Sequence, residues 1–330
     1  MIASAPQGVI SPKGCPYFGA YSGSISNTSF RGLSTVASWR LAIGQKRWMY
    51  IGIYSPELIA CACVIDLTYM ASGFMAALDC KNHLLLENKS IAPRWRQIVP
   101  DTPSQGIARF ALPKLDISIC GDSQNNKRTV QAKSGRGNKA LALELEIDDD
   151  PSQLMPLSAI TPKGGASFHY THKAAGLPVK GIVRMGSRMI TLRDALAVVD
   201  YTHGLTARHT HWLWASAAGV SEDGRQIGIN LIHSETEEQA YENAIWIDGQ
   251  LVKVGPTNIT QTPAQWTITN PNVSLRFSPQ DQRSQHVNVK IIASKYIQPL
   301  GYFDGQIHHN GETINVSKMP GVTEIHDSIW

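Results

Sequence analysis

Charge is scarce in this chain. Asp, Glu, Lys and Arg make up 17% of its 330 residues, below the quarter or so usual for soluble proteins. The excess is only +4, and the basic residues are scattered. Lys127-Arg128 and Arg136 to Lys139 belong to a polar stretch that reads as a loop. Without a concentrated basic face, a nucleic-acid partner is not expected.

Long apolar runs are missing too. None reaches the roughly 18 to 20 residues that span a bilayer; the densest, Leu58 to Leu78, is broken by Asp66, Thr68, Ser72 and Gly73. The first residues, Met-Ile-Ala-Ser-Ala-Pro, have no basic segment leading into an apolar core, so no secretory signal is expected. Cysteine is sparse and odd in number: Cys15, Cys61, Cys63, Cys80 and Cys120. No CxxC pair or matching His spacing accompanies them, so the expectation is reduced, buried thiols in a cytoplasmic protein, with no metal. The GxSxG elbow, the P-loop and HExxH are all absent, and no cofactor is expected.

What is present is strand. Helical periodicity is scarce, while short strand-like runs recur between turn signals. Arg47 to Tyr54, Leu58 to Ile65, Phe74 to Leu78 and Ala140 to Ile147 read as strands in the first half. Phe168 to His172, Val179 to Met185, Arg208 to Ala217, Gln226 to Ile232, Ala244 to Ile247, Gln250 to Val254 and Val287 to Ala293 do so in the second. Asp248-Gly249 is a strong hairpin signal. Gly44, Gly52, Gly73, Gly181 and Gly228 interrupt strand patterns, as where barrel strands bend. The polar, Pro-containing Asp148 to Gln153 reads as a connection between halves. The fold class is therefore all-β, in two β-rich domains, 1–150 and 151–330. No βαβ alternation supports a nucleotide-binding fold.

Reactive side chains concentrate in Asp200-Tyr-Thr-His203-Gly-Leu-Thr-Ala-Arg208-His-Thr-His-Trp212-Leu-Trp214. In strand geometry Arg208, Thr210, Trp212 and Trp214 share one face, and His209, His211 and Leu213 the other. The Trp face suits the wall of a ligand cavity with Arg208 at its mouth, or else the filling of a barrel core. His209 and His211 could supply two metal ligands, but no third ligand is identifiable. Asp200 and His203, read at a strand end, could converge on one loop; a desolvated carboxyl there would serve as a general acid. The bland alternative is a turn in which Asp200 caps backbone N–H groups. Tyr170 and His172 would share a face in the cluster Phe168 to Lys173. Asn230, alone in an apolar strand, needs partners, and Glu242 precedes Trp246 beside the same region.

The motifs Lys46-Arg-Trp-x-Tyr50, Tyr170-Thr-His-Lys173, Asp200-Tyr-Thr-His-Gly204, Arg208-x-Thr-x-Trp-x-Trp214, Ile227-Gly-x-Asn-Leu231, Glu242-Asn-Ala-x-Trp246 and Gly321-Val-x-Glu324 to Trp330 resemble the bacterial domain-of-unknown-function family two-eight-zero-four over nearly the whole chain. More distantly, the order of a Tyr-containing strand, an x-Val-x-Gly strand, Ala-x-x-Asp and a Trp-x-Trp strand resembles the carotenoid hydratase (hydroxyneurosporene synthase) and AttH-type proteins. That resemblance implies two tandem lipocalin-like, calycin-type barrels or half-barrels. In its signature an acid is followed by His and then by Trp two further on. Here Asp200 matches the acid, Tyr201 stands at the His position and His203 at the Trp position.

Together with these residues, the resemblance implies a hydrophobic small molecule, isoprenoid, polyene or lipid-like, held in a barrel cavity and altered by acid–base chemistry of hydratase, isomerase or cyclase type. Asp200 would be the acid, His203 its partner and Tyr201 a polar guide. Arg208, Trp212, Trp214, Tyr170, His172, Asn230 and Glu242 would contact the ligand. A transient membrane-surface contact would suit a lipid ligand. The alternative is a non-catalytic carrier or sensor using the same cavity.

Overall fold

A computed structural model describes residues 2–34, 36–262, 264–289 and 292–329. Two curled antiparallel sheets, each a half-barrel, make up nearly all of it. The main path of the first sheet runs Leu84–Pro93, Met70–Asp79, Leu58–Asp66, Gln45–Ser55, Arg188–Leu205, Phe168–Met185, Leu141–Asp148, Lys127–Ser134, Leu115–Asp122, Gly106–Leu112 and Gln97–Ile98. The second runs Gln250–Lys253, Ala244–Ile247, Gln226–Ile232, His209–Val220, Glu312–Ile329, Ile292–His309, Val273–Val289, Trp266–Asn270 and Asn258–Gln261. Of the expected strand Val287 to Ala293, residues 290 and 291 lie outside the described residues, as do Met1 and Trp330.

The centre of the first sheet is one long hairpin, Phe168–Met185 with Arg188–Leu205, where the sequence suggests separate shorter strands. Its register slips between Ala175 and Leu177 and again between Val179 and Gly181. Gly176 and Gly181 sit at these slips with φ of 108° and 139°, a conformation that favours glycine. The slips let one strand serve two neighbours. Its first part pairs with Leu157–Pro162, its last part with Leu141–Asp148.

The expected division near residue 150 does not fall at a sheet boundary. Leu141–Asp148 and Phe168–Met185 pair directly across it, and the chain changes sheet only between Leu205 and His209. Asp200, Tyr201 and His203 therefore stand in the first sheet, and Trp212 and Trp214 in the second. Hydrogen-bonded register, rather than position along the chain, decides where the halves meet.

The sheets share a core. Trp214, Trp246, Leu300 and Val322 of the second pack into the cluster built by the first, and the Trp246 indole donates to the Met155 carbonyl at 2.8 Å. Gly228 is where the backbones touch: a Cβ there would lie 1.9 Å from the Ala175 carbonyl oxygen. A Cβ on Gly73 would similarly meet the Phe110 ring at 2.7 Å. Of the interrupting glycines, Gly181 marks a bend; Gly73 and Gly228 instead permit close packing. The Asp248-Gly249 turn forms as its sequence demands, with φ of 50° and 78° closing Ala244–Ile247 onto Gln250–Lys253.

Candidate functional site

Between the two sheets lies a cavity of about 370 Å³. Register places its walls as two opposed grids. On the first sheet Lys173, Asp200, Tyr50, Cys63 and Phe74 form one row of neighbours across five strands. The next row is Thr171, Thr202, Trp48, Ile65, Ser72 and Ile91. On the second sheet Trp214 pairs with Glu324, and Trp212, His326, Tyr296 and Gln285 form the adjacent row. All of these line the cavity. The Lys173 row is buried throughout, whereas Ile91 and His209 at the opposite end are exposed. The charged rows are the floor, and the aromatic and hydroxyl-bearing rows lead to the mouth.

The floor holds two polar clusters. In the first, the Lys173 ammonium lies 2.7 Å from Asp200 Oδ2 and 3.3 Å from Glu242 Oε2, and 5.7 Å from the Trp214 ring centre. Burial alone would push the Lys173 pKa down, but the two carboxylates outweigh it and hold the ammonium protonated. Burial pushes the Asp200 carboxyl upward against the pull of Lys173, and Glu242 adds to the rise. A second ammonium, Lys163, lies 3.9 Å from Glu242 Oε1, so Lys173 is shared between the two acids while burial remains the main cause of the Asp200 rise.

In the second cluster Glu324 accepts from Trp212 Nε1 at 2.7 Å, from the Tyr296 hydroxyl at 2.7 Å and from Gln298 Nε2 at 3.3 Å. Arg283 donates to Gln298 Oε1 at 3.0 Å and to the Tyr296 oxygen at 3.1 Å, with its guanidinium over the Phe74 ring at 3.6 Å. Burial raises the Glu324 pKa; the hydrogen bonds and Arg283 oppose this, and the charge of Asp200 adds to it. His326 lies flat on Trp212, with ring centres 3.6 Å apart, and burial pushes its pKa down to about 3.

The structure divides the residues proposed from sequence. Asp200, Glu242, Trp212 and Trp214 line the cavity. Arg208 is exposed and lies before the strand that carries the tryptophans. Tyr201 and His203 do not join Asp200. The segment is strand interior rather than a loop, so residues one and three positions from Asp200 point to the other face. There the Tyr201 hydroxyl donates to the Pro100 carbonyl at 2.9 Å. His203 donates from Nδ1 to the Thr28 carbonyl at 2.8 Å and stacks on Phe30 at 3.9 Å. Both are core residues. The same parity turns Tyr170 and His172 away and brings His169, Thr171 and Lys173 in. Asn230 sits behind the wall, accepting from Trp214 Nε1 at 2.9 Å and donating to the Glu242 carbonyl at 2.7 Å; it is a support for the wall. His209 pairs with Asp327 at 2.7 Å near the mouth, and among the described residues no group of three or more His, Cys, Asp or Glu could hold a metal ion.

Sequence reasoning missed Lys173, Glu324, Arg283 and His326 as site residues. Glu324 carried a signal, a lone acid in the apolar run Gly321 to Ile325. Arg283 carried none, because Glu87 and Phe74 reach it from the other sheet.

The match to known families now has a geometry to explain. A sequence family described as a domain of unknown function, DUF2804, matches residues 3–330. The chain belongs to this family. Its fold is similar to that of kievitone hydratase from Nectria haematococca, with a TM-score of 0.50 and 12% identity over 93% of this chain and 97% of that one. An AttH candidate from Nitrosomonas europaea gives a TM-score of 0.49 and 12% identity over 91% of this chain and 96% of that one. No functionally curated protein matches the sequence. At this identity the hydratase likeness shows the fold, two lipocalin-like half-barrels in tandem.

Proposed function

We propose that members of the DUF2804 family such as this one take a small, largely apolar molecule into the inter-sheet cavity and alter it by acid–base chemistry. The single observation behind this is the cavity floor. Two buried carboxyl groups with raised proton affinity, Asp200 and Glu324, face an aromatic-walled space. Such groups hold a proton nearer neutral pH than an exposed carboxyl does and can deliver it. For an alkene substrate, the proton passes from the carboxyl to one alkene carbon. The carboxylate left behind stands beside the Lys173 ammonium. It recovers a proton from attacking water (hydration) or from a neighbouring carbon (isomerisation or cyclisation). Lys173 thus takes the supporting role that the sequence suggested for His203. The hydratase fold likeness and the aromatic wall support the same reading.

Size narrows the ligand. At about 370 Å³ the cavity sits at the lower end of the range for small-molecule sites, roughly 300–1,000 Å³. A short isoprenoid or lipid-like molecule fits; a long polyene could enter only in part. Ile91, exposed at the mouth, would suit the transient membrane-surface contact expected for a lipid-like ligand.

One observation favours the carrier reading. The carboxyl oxygens of Asp200 and Glu324 already have Lys173, Thr202, Trp212, Tyr296 and Gln298 as partners, as a static, fully bonded floor would. Isotope labelling separates the two. A molecule that co-purifies with the protein is identified by native mass spectrometry, then incubated with it in deuterated water. Acid–base chemistry transfers solvent deuterium to carbon, and Asp200→Asn or Glu324→Gln abolishes the transfer. A carrier returns the molecule at unchanged mass, with or without the substitutions.

A further inference from the structure

Two polar atoms on one strand of the cavity wall are buried without a hydrogen-bond partner: His169 Nε2 and Thr171 Oγ1. Both residues line the cavity and are at least nine-tenths buried, His169 at 6% and Thr171 at 2% exposure. They stand on one strand with one residue between them, so they share a face, about 7 Å apart along it. A Cβ on Gly204, the cross-strand neighbour of His169, would meet its ring at 2.6 Å. Glycine there leaves the imidazole lying flat against the next strand.

Unpaired buried polar atoms are rare in native proteins because each forfeits the hydrogen bond it had in water. Two of them, side by side on the wall of a cavity, have the form of a docking point. The partner must satisfy both. Threonine's hydroxyl donates or accepts, and a neutral imidazole nitrogen does one or the other according to tautomer. A hydroxyl group matches every combination, whereas a carbonyl can only accept. The roughly 7 Å is the spacing of the two backbones; one oxygen bonds both side chains where these lean to within about 6 Å of each other. Both atoms lie one or two register rows from Asp200 towards the mouth, so a molecule anchored there has its apolar body along Trp48 and Trp212 and its far end at the floor.

We infer that the ligand of this cavity is an alcohol rather than a hydrocarbon, its hydroxyl held between His169 and Thr171. The inference rests on the proposal that the cavity binds an apolar molecule, and the two can fail separately. The test compares n-decanol with n-decane, the same chain without the hydroxyl, by quenching of the tryptophans that line the cavity. One hydrogen bond is worth about a tenfold change in affinity and two bonds more, so decanol should bind at least tenfold more tightly than decane. Thr171→Val, which keeps the side-chain shape, should remove part of that preference, and His169→Phe/Thr171→Val all of it, while decane binds as before. If both probes bind the unmodified protein equally, or the preference survives the double substitution, the hydroxyl site is wrong and cavity binding stands. If neither probe binds, the cavity reading itself falls, and this inference with it. Should the double variant not fold, Thr171→Val alone decides: an unchanged preference overturns the assignment.

Discussion

Replacing Lys173 by methionine removes the cation shared by Asp200 and Glu242 and keeps an apolar stem of similar reach. The ammonium lies 2.7 Å from one carboxylate and 3.3 Å from the other, and all three side chains are buried. The variant would leave two acids together in a low dielectric, with only the half-buried Lys163, 3.9 Å from Glu242, as counter-charge. Removing one member of a buried ion pair costs about 3–5 kcal/mol, a large share of a typical stability of roughly 5–15 kcal/mol. At roughly 2 °C per kcal/mol for a large domain, the melting midpoint should fall by about 6–10 °C near neutral pH. The pH response fixes the sign. Without Lys173, burial and the charge of Glu242 raise the Asp200 carboxyl further above its unfolded value near 4. A raised folded pKa gives stability that is present below the unfolded pKa and lost as pH rises through the folded one. The deficit relative to the unmodified protein should therefore be widest near pH 8 and narrow towards pH 5. The triple variant Lys173→Met/Asp200→Asn/Glu242→Gln strands no charge and should regain most of the loss. Calorimetric melts of the three proteins side by side across that range are the assay. If Lys173→Met melts with the unmodified protein at neutral pH, or its deficit does not shrink on acidification, the cluster is not a buried ion-paired unit.

Four further outcomes are expected. His169, His172, His203 and His326 are all pushed below the ordinary histidine range by burial, His172 to about 4 and His326 to about 3. Depressed folded pKa values mean stability that is complete above about pH 6.5 and lost as pH falls, by up to about 1.4 kcal/mol per histidine per pH unit. The raised acids Asp200 and Glu324 offset part of this, so melts should show a steady decline from pH 7 to pH 5, and a flat profile contradicts the burial argument. His203→Ala should cost roughly 2–3 kcal/mol through its lost hydrogen bond and stacking and leave decane binding intact; lost binding at unchanged stability would return His203 to the site. Gly204→Ala should destabilise by about 1–3 kcal/mol, because the 2.6 Å clash with His169 outweighs the roughly 0.5–1 kcal/mol that alanine normally gains over glycine in a strand; a more stable variant refutes that. Glu324→Gln offers one acceptor oxygen and an amide donor where three donors converged, so urea unfolding should show a loss of about 1–3 kcal/mol, and no loss would mean the cluster is not closed.

Much of the architecture was legible in the chain. Period-two runs such as Ala140 to Ile147 and the Asp248-Gly249 turn are local signals, since strand alternation and positive φ act over a few residues. They determined an all-β fold, and the unusual segment from Asp200 to Trp214 contributes Asp200, Trp212 and Trp214 to the lining of the inter-sheet cavity. The sequence could not set phase. Whether Tyr170 and His172, or His169, Thr171 and Lys173, face the cavity depends on which side of the sheet the other sheet covers. A shift of one residue reverses the answer. The same ambiguity paired Asp200 with His203, which the extended strand separates onto opposite faces. Only tertiary structure decided that Lys173 stands between Asp200 and Glu242, and that Glu324 gathers Trp212, Tyr296 and Gln298. Lys173 with Asp200, and Glu324 with Tyr296 and Gln298, meet across neighbouring strands, but Glu242 and Trp212 reach them from far along the chain, through register and sheet packing that no local pattern encodes.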